Sequence, residues 1–231
     1  MIAVITGATK GIGHAIAKQF ASKKFDLVIT SRSQSDLDKL KDEWQTQYEI
    51  NIHALASDLS IAREVSQFGD FALLAGSPAV LVNNAGVFLP GNIHDEAADT
   101  FSTLMNTNVA SAYHLTRALL PSMMTQKNGH IFNVCSTASI KAYTQGGSYC
   151  ISKFALLGFS KVLREELMPH NIGVTALMPG ATLTDSWKGT ELPNERFMNP
   201  DDIGQLVWDV YALSKRTVVE EIILRPMLGD L

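Results

Sequence analysis

Short apolar runs alternate with amphipathic stretches along the whole chain of 231 residues. Strand-like runs are predicted near residues 2–6, 25–30, 52–57, 79–83, 130–135, 172–178 and 220–225, and helical stretches near 12–22, 35–47, 61–75, 100–126, 149–167 and 200–214. Strands separated by helices pair in parallel, and the helices then cover both faces of the sheet. The alternation therefore predicts the α/β fold class, with one domain built on a doubly wound parallel sheet of about seven strands. The runs 80–82 and 221–224 combine β-branched and apolar residues, which is typical of buried parallel strands.

The composition excludes several classes of protein. Apolar residues make up 46% of the chain, which suffices for a sizeable core, and no apolar stretch approaches the ~18 residues of a membrane span. With a formal net charge of −4, the chain lacks the excess of positive charge that is typical of proteins that bind nucleic acid or an anionic membrane. The N-terminal residues lack the basic region and cleavage site of a signal peptide, so we expect a cytoplasmic protein.

Neither a metal site nor a disulfide is expected. The six histidines are scattered along the chain without metal-ligand spacing. Cys135 and Cys150 are predicted to be small core residues, because structural disulfides are uncommon in a reducing compartment.

A glycine-rich turn follows the first predicted strand. The sequence TGATKGIG occupies residues 6–13, and an apolar helix-compatible segment comes next. Between a strand and a helix, glycines permit a tight turn and the close approach of a pyrophosphate to the positive end of the helix dipole. The spacing is GxxxGxG instead of the common GxGxxG, and an ordinary strand-to-helix turn is the alternative.

A second polar turn, Asn83-Asn84-Ala85-Gly86, directly follows the apolar run 79–82. Open α/β sheets bind their ligands at the carboxyl ends of the strands, where such residues would lie. A plain β-turn is the alternative, since asparagine and glycine are common turn residues.

Tyr149 and Lys153 lie four residues apart in SYCISK, and Ser136 precedes the tyrosine by thirteen residues. Residues i and i+4 share one face of a helix, so a phenol and an ammonium would project side by side. A free phenol keeps its proton until about pH 10, whereas a nearby positive charge favours the phenolate. The pair is therefore a candidate for general acid–base catalysis. A half-buried tyrosine beside a solvated lysine is the structural alternative.

Taken together, TGATKGIG, Asp58, NNAG, Asn108, Ser136, YCISK and Pro179-Gly180 resemble the short-chain dehydrogenase/reductase family. These are metal-free, NAD(P)-dependent oxidoreductases on a single Rossmann-like domain. The resemblance covers essentially the whole chain. It implies a single cofactor-binding domain over residues 1–231, with a variable substrate lid at about 185–199.

The end of the second predicted strand favours NADP(H) as the cofactor. Sites that prefer NAD place Asp or Glu here to bind the ribose 2′-hydroxyl, but this chain has Ser31 and Arg32. A guanidinium binds a 2′-phosphate through charge-assisted hydrogen bonds. Lys10 is the other basic position that NADP-preferring relatives use. A solvated surface charge is the alternative for either residue.

The resemblance assigns roles to the remaining motif residues. Tyr149 would protonate the substrate carbonyl, Lys153 would bind the nicotinamide ribose, and Ser136 would hydrogen-bond the carbonyl oxygen. Asn108 would hold a proton-relay water at a helix kink, with Asn106 a nearby alternative. The implied cofactor-binding residues are Gly7, Thr9, Lys10, Gly11, Ile12, Gly13, Ser31, Arg32, Asp58, Leu59, Asn84, Ala85, Gly86, Tyr149, Lys153, Pro179, Gly180, Thr182 and Thr184.

Phe88, Tyr143 and Trp187 are expected to line the mouth of the substrate site. The C-terminal run 217–226 and Trp187 are similar to bacterial sepiapterin-reductase-like members, which implies reduction of a small dicarbonyl or a pterin side chain. A 3-oxoacyl-[acyl-carrier-protein] reductase is the alternative. It would need a basic docking patch, and residues 117–127 offer only Arg117 and Lys127. A non-enzymatic NADPH-binding regulator is less favoured. The resemblance implies four catalytic positions, and this chain has the matching residues at all of them: Asn108, Ser136, Tyr149 and Lys153.

A homodimer or homotetramer is implied by the two predicted helices 100–126 and 149–167, which resemble the helices that pair across a two-fold axis in this family. Leu115, Leu119, Phe154, Leu157 and Leu163 could form the contact. The alternative is that these residues face the parent sheet.

Overall fold

A computed structural model describes residues 1–187 and 189–230. The strands of this part are β1 (Ile2–Thr6), β2 (Asp26–Thr30), β3 (Ile52–Ala54), β4 (Val80–Asn83), β5 (Gly129–Val134), β6 (Ile172–Pro179) and β7 (Glu221–Leu224). The helices are α1 (Gly11–Ser22), α2 (Gln34–Tyr48), α3 (Ala62–Ala75), α4 (Thr100–Met105), α5 (Ser111–Gln126), α6 (Gly147–Leu167) and α7 (Pro200–Tyr211), besides short 3₁₀ turns. Among the helices described, none combines the length and apolar composition that crossing a membrane requires.

The strands form one sheet in the order β3-β2-β1-β4-β5-β6-β7, and every neighbouring pair is parallel. The order reverses between β1 and β4, because the chain returns from the edge strand β3 to the other side of β1. Such a reversal leaves a crevice at the carboxyl ends of the two central strands. The prediction of a doubly wound, Rossmann-like α/β sheet is confirmed.

Successive strand residues supply two separate cores, one on each face of the sheet. Ile5 packs with side chains of α1, α2 and α7 on one face. Its neighbour Val4 packs with side chains of α3, α5 and α6 on the other face. The sheet is therefore covered on both sides, as its nearly continuous apolar strands predict.

β7 differs from the prediction of a buried strand. It is an edge strand that pairs with β6, its residues alternate between exposed and partly buried, and Ile223 is 49% exposed. β-branched residues suit any half-buried pleated surface, so composition alone did not separate this edge strand from the central strand β4.

The stretch predicted as one helix over 100–126 is divided. α4 passes into a π-helical turn at Asn106–Ala110, and α5 begins after that turn. A π-turn accommodates an extra residue and re-aims the side chains within it. Asn108 is the buried residue of the turn.

The apolar residues expected to pair across a two-fold axis do not form one surface. Leu115, Leu119, Leu157 and Leu163 are between 0% and 6% exposed and belong to the cores of the parent sheet, whereas Phe154 is 46% exposed. That expectation is therefore wrong for four of the five residues. An amphipathic helix buries its apolar stripe against its own sheet first.

Candidate active site

The predicted site residues follow different strands but lie at the same edge of the sheet. Because all strands run parallel, the glycine turn after β1, the NNAG turn after β4 and Ser136 after β5 meet at the carboxyl ends. Thr182 and Thr184 follow β6 at the same edge. The sequence motifs thus converge on the crevice between β1 and β4.

The glycine turn has the shape of a phosphate cradle. Gly7 and Gly11 have φ angles of 65° and 56°, in the left-handed region that favours glycine. A Cβ on Gly13 would lie 2.3 Å from both Asn84 Nδ2 and Gly7 O. Lys10 precedes α1 without making a side-chain capping bond. The first turn of α1 therefore presents backbone N–H groups to an anion, and the residues present fit a dinucleotide pyrophosphate.

Asn84 and Thr6 hold the glycine turn against the NNAG turn. Asn84 Nδ2 donates to the carbonyls of Thr6 and Gly7 at 2.9 and 3.3 Å. The Thr6 hydroxyl oxygen accepts hydrogen bonds from the backbone N–H groups of Asn84 and Ala85, both at 2.9 Å. Thr6 was not among the predicted site residues, although its place at the end of β1, directly before Gly7, was a usable signal.

Tyr149 and Lys153 share one face of α6. The Lys153 ammonium lies 5.9 Å from the centroid of the Tyr149 ring. Lys153 is 6% exposed, and its Nζ donates to the carbonyl of Val134 at 2.9 Å. An ammonium has three N–H donors, so this bond leaves others for a ligand. A positive charge is thus fixed beside the phenol.

Asn108 joins the π-turn to both the NNAG turn and α6. Its Nδ2 donates to Val87 O and to Ser152 Oγ, each at 3.0 Å, and its Oδ1 accepts from Val87 N at 2.8 Å. Ser152, whose hydroxyl donates to Tyr149 O at 2.7 Å, was not among the predicted site residues. A Cβ on Gly86 would lie 3.1 Å from Asn108 Oδ1. The alternative residue Asn106 is exposed.

Ser136 lies two residues beyond the end of β5 and begins a 3₁₀ turn at Thr137–Ser139. Its hydroxyl oxygen accepts from Ala138 N at 3.1 Å, and its N–H donates to Ser139 Oγ at 3.2 Å. The first of these bonds fixes the hydroxyl oxygen, which keeps its own hydrogen as a donor. Ser136 can therefore offer a hydrogen bond to a carbonyl oxygen.

The residues after β2 and β3 lie beside one another. Ser31 is half-buried and Arg32 is exposed. Hydrogen bonds from the side chain and N–H of Ser60 to Asp58 hold the pKa of the Asp58 carboxyl below its ordinary value, and Arg32 contributes in the same direction. Asp58 does not cap α3, which begins after Ile61. Its neighbour Leu59 is buried.

The segment after β6 faces the glycine turn. Gly180 N donates to Leu224 O at 2.8 Å, and Thr182 forms a β-bridge with Met198. A Cβ on Gly11 would lie 2.9 Å from the Thr184 methyl group. Lys10 and Asp185 form an ion pair at 3.4 Å. A cleft of about 350 Å³ runs between these two segments; it is lined by Gly11, His14, Ala15, Leu183, Thr184, Asp185, Pro200 and Asp201.

Two of the three predicted substrate contacts lie beside Tyr149. The Phe88 ring meets the Tyr149 ring edge-to-face at 4.8 Å. Burial, and next the proximity of Tyr149, raise the pKa of Tyr143, although its side chain remains 46% exposed. Trp187 instead packs on Phe197, with ring centroids 5.0 Å apart, within the predicted lid segment 185–199. The mouth is thus lined by aromatic rings.

Known proteins resemble this chain along its length. The profile described as short chain dehydrogenase matches residues 1–194. A sepiapterin reductase of Chlorobaculum tepidum is 37% identical, over 100% of this chain and 98% of that protein. The NADP-dependent 3-hydroxy acid dehydrogenase YdfG of Escherichia coli is 30% identical, over 98% of this chain and 95% of that protein. An alcohol dehydrogenase from the archaeon Thermococcus sibiricus, complexed with 5-hydroxy-NADP, has a TM-score of 0.90 at 28% identity, covering 98% of this chain and 96% of the other.

Proposed function

The chain belongs to the short-chain dehydrogenase/reductase family of NAD(P)-dependent oxidoreductases, and from this premise we propose that it reduces a ketone or aldehyde with NADPH. The observation that carries the proposal is the buried Lys153 beside Tyr149 on α6. A fixed ammonium next to a phenol is a proton-transfer device, and a dinucleotide cradle adjoins it. We further propose that residues 1–231 form one cofactor-binding domain with its lid at about 185–199.

The chain's own residues divide the work between binding and proton transfer. The glycine turn would hold the pyrophosphate, and Lys153 would bind the nicotinamide ribose. The cofactor, when bound, supplies the hydride. Ser136 would donate a hydrogen bond to the substrate carbonyl, which orients it and stabilises the developing negative charge. Tyr149 would give its proton to the same oxygen, and the Lys153 charge would stabilise the phenolate that remains.

Arg32 and Lys10 support a preference for NADPH over NADH. Arg32 follows β2 where a carboxylate would repel a 2′-phosphate, and Ser31 adds a hydroxyl beside it. Lys10 is 62% exposed and pairs with the side chain of Asp185 across the cleft. Both cationic side chains are exposed, so neither would have to leave a buried position to contact a phosphate. A cytoplasmic location, which would supply NADPH, stays a prediction.

The substrate we propose is a small dicarbonyl or the carbonyl side chain of a pterin. The sepiapterin reductase that is 37% identical supports it, as do the exposed aromatic rings of Phe88 and Tyr143 at the mouth. A planar substrate could stack on such rings. The second candidate is a 3-oxo acid, and the 3-hydroxy acid dehydrogenase that is 30% identical supports it.

We also propose a homodimer, on a set of residues that shares only Phe154 with the sequence-based one. Tyr113 on α5 and Ile151, Phe154 and Val162 on α6 are each between 42% and 54% exposed. A stripe of this kind on two neighbouring helices suits a second copy of the same chain. Light scattering at micromolar concentration should give a dimer or larger, and Phe154→Asp should weaken it. A monomeric wild-type protein would contradict the proposal.

The test of the reaction follows NADPH absorbance against a panel of carbonyls: sepiapterin, a diketone, an aromatic aldehyde, a free 3-oxo acid and an acetoacetyl thioester. NADH runs in parallel. Tyr149→Phe should lower kcat by about 10²–10⁴-fold, because it removes the proton donor. Tyr48→Phe, which removes a phenol on α2, is the matched control. Full activity of Tyr149→Phe would overturn the mechanism, and NADPH binding without any turnover would favour a regulatory protein.

A further inference from the structure

The loop between β4 and α4 supplies a carboxylate to the first turn of the helix that carries Tyr149. Glu96 accepts hydrogen bonds from the Ser148 hydroxyl and from the Ser148 N–H, the latter at 3.3 Å. Ser148 directly precedes Tyr149 and is 2% exposed. The residue in the N-cap position of α6 is Gly146, which has no side chain to cap the helix. Glu96 therefore caps α6 from another part of the chain.

Backbone hydrogen bonds hold this loop on the start of α6. Gly91 N donates to Gln145 O at 2.9 Å, and Gly147 N donates to Gly91 O at 3.0 Å. Asn92 Oδ1 accepts from Gln145 N at 2.9 Å, and Gly91 forms a β-bridge with Gly146. The loop that carries the Glu96 carboxylate is thus itself hydrogen-bonded to α6, the helix that this carboxylate caps.

The approach is close because both segments use glycine at the contact. A Cβ on Gly147 would lie 2.8 Å from Gly91 O and 3.0 Å from Glu96 Oε2. A Cβ on Gly91 would lie 2.9 Å from Glu96 Cβ. At the beginning of the same loop, Phe88 meets the ring of Tyr149. The loop therefore constrains Tyr149 at two points, the backbone of its helical turn and its ring.

We propose that Glu96 is a positioning residue of the reductase, which sets the location of the Tyr149 hydroxyl through Ser148; this inference rests on the proposed function. A negative charge at a helix N-terminus interacts favourably with the helix dipole. The two donors of Ser148 are buried and need acceptors. Without the carboxylate, the first turn of α6 loses its cap, and the phenol loses its fixed position relative to Ser136 and Lys153.

The Glu96→Gln substitution should distinguish an effect on the position of Tyr149 from an effect on the stability of the fold. An amide presents one oxygen in place of two, so one donor of Ser148 would lose its acceptor. We expect kcat for carbonyl reduction to fall about tenfold, since small misplacements of reacting groups are costly. The KM for the carbonyl and the Kd for NADPH should change by less than about twofold, and Tm should fall by about 2–6 °C. Asp99→Asn, an exposed carboxylate of the same loop that makes no capping bond, should leave kcat unchanged.

The decisive measurement repeats Glu96→Gln in the Tyr149→Phe background, with single-turnover NADPH oxidation at high enzyme concentration. If Glu96 acts through the phenol, the Glu96→Gln substitution should have almost no further effect on the residual rate of the Tyr149→Phe enzyme. An equal loss of rate in both backgrounds would overturn the inference. If the wild-type enzyme is active, an unchanged kcat for Glu96→Gln would also overturn it. Absence of turnover by the wild-type protein would overturn the proposed function as well.

Discussion

The crevice between β1 and β4 has a proposed cofactor-binding side and a proposed substrate-binding side, and the two are built differently. On the proposed cofactor side, hydrogen bonds of 2.9–3.0 Å tie Thr6, Asn84, Asn108 and Lys153 to backbone groups of neighbouring segments. On the proposed substrate side, exposed apolar side chains such as Phe88, at 40% exposure, face solvent. Within the predicted lid segment 185–199, Met198 forms a β-bridge with Thr182, which follows β6.

This contrast shows where the structure restricts the choice of residue. A cofactor of fixed shape requires fixed backbone positions, and a glycine or an asparagine in such a position has few substitutes. Apolar side chains at a mouth make no required hydrogen bond, so they can be exchanged with little cost to the fold. Substitutions on the cofactor side should therefore affect binding strongly, and those on the substrate side should affect KM modestly.

Gly13→Ala should have the largest effect and tests the rigidity of the cofactor side. The new methyl group would lie 2.3 Å from Gly7 O, a backbone atom that cannot rotate away. We expect NADPH binding, measured by fluorescence titration, to weaken about 100-fold, because overpacking here displaces the cradle itself. Gly158→Ala is the control for cofactor binding, since a Cβ there meets nothing of its own chain within 4 Å and the position lies on the proposed dimer face of α6, not on the glycine turn. Equal affinity of Gly13→Ala and wild type would show that the turn is not the pyrophosphate site.

Arg32→Ala should weaken NADPH binding about 10–30-fold and leave NADH binding nearly unchanged, because only NADPH carries the 2′-phosphate. Titration of both cofactors at two salt concentrations measures the effect. Lys39→Ala, an exposed cation on α2, is the control. An equal loss for both cofactors would mean that Arg32 does not read the phosphate.

His130 should make the fold sensitive to acid. It lies at the start of β5, away from the crevice at the carboxyl ends of the strands. It is buried against Phe132 and hydrogen-bonds Thr175 Oγ1 at 2.7 Å; burial, and then Lys215, lower the pKa of His130 to about 3. The unfolded chain takes up this proton near pH 6.5 and the folded chain only near pH 3. The free energy of unfolding should therefore fall between those values as pH decreases, by up to about 1.4 kcal/mol per pH unit, which is roughly tenfold in the unfolding constant.

Urea unfolding from pH 7 to pH 4 checks this expectation. The His130→Gln variant should show a shallower pH dependence than wild type, whereas His94→Gln, whose side chain is 81% exposed, should match wild type. Parallel slopes for wild type and His130→Gln would contradict the neutral, buried histidine. The experiment also separates loss of activity caused by acid unfolding of the whole fold from loss of activity at the site itself.

Trp187→Ala should have the smallest effect. It removes a ring that packs on Phe197 in the predicted lid segment. We expect the KM for the carbonyl to rise about 3–5-fold, with the Kd for NADPH unchanged, because a partly exposed ring contributes modest contact energy. Steady-state kinetics with the best carbonyl of the panel measures the change. A loss of NADPH affinity with unchanged KM would place Trp187 on the cofactor side.

The order of strands and helices could be predicted because each is marked by local pattern. The residues of the glycine and NNAG turns were readable for the same reason, since each directly follows an apolar strand. A kink at Asn108 was expected only from the family resemblance, and its π-helical form was not predicted, because no proline or glycine marks it in the sequence. Glu96 was missed because its partner Ser148 is 52 residues away, and no periodicity connects a loop carboxylate with a distant helix end.

The irregular turn at Asn106–Ala110 limits how this protein can be made more stable. Each residue of an α-helix advances the side chains by ~100°, so deleting one residue of the turn would let α4 and α5 merge into one regular helix. The same deletion would rotate Asn108 away from Val87 and Ser152. We therefore expect stabilising designs that regularise this helix to yield a more heat-resistant protein with an impaired active site.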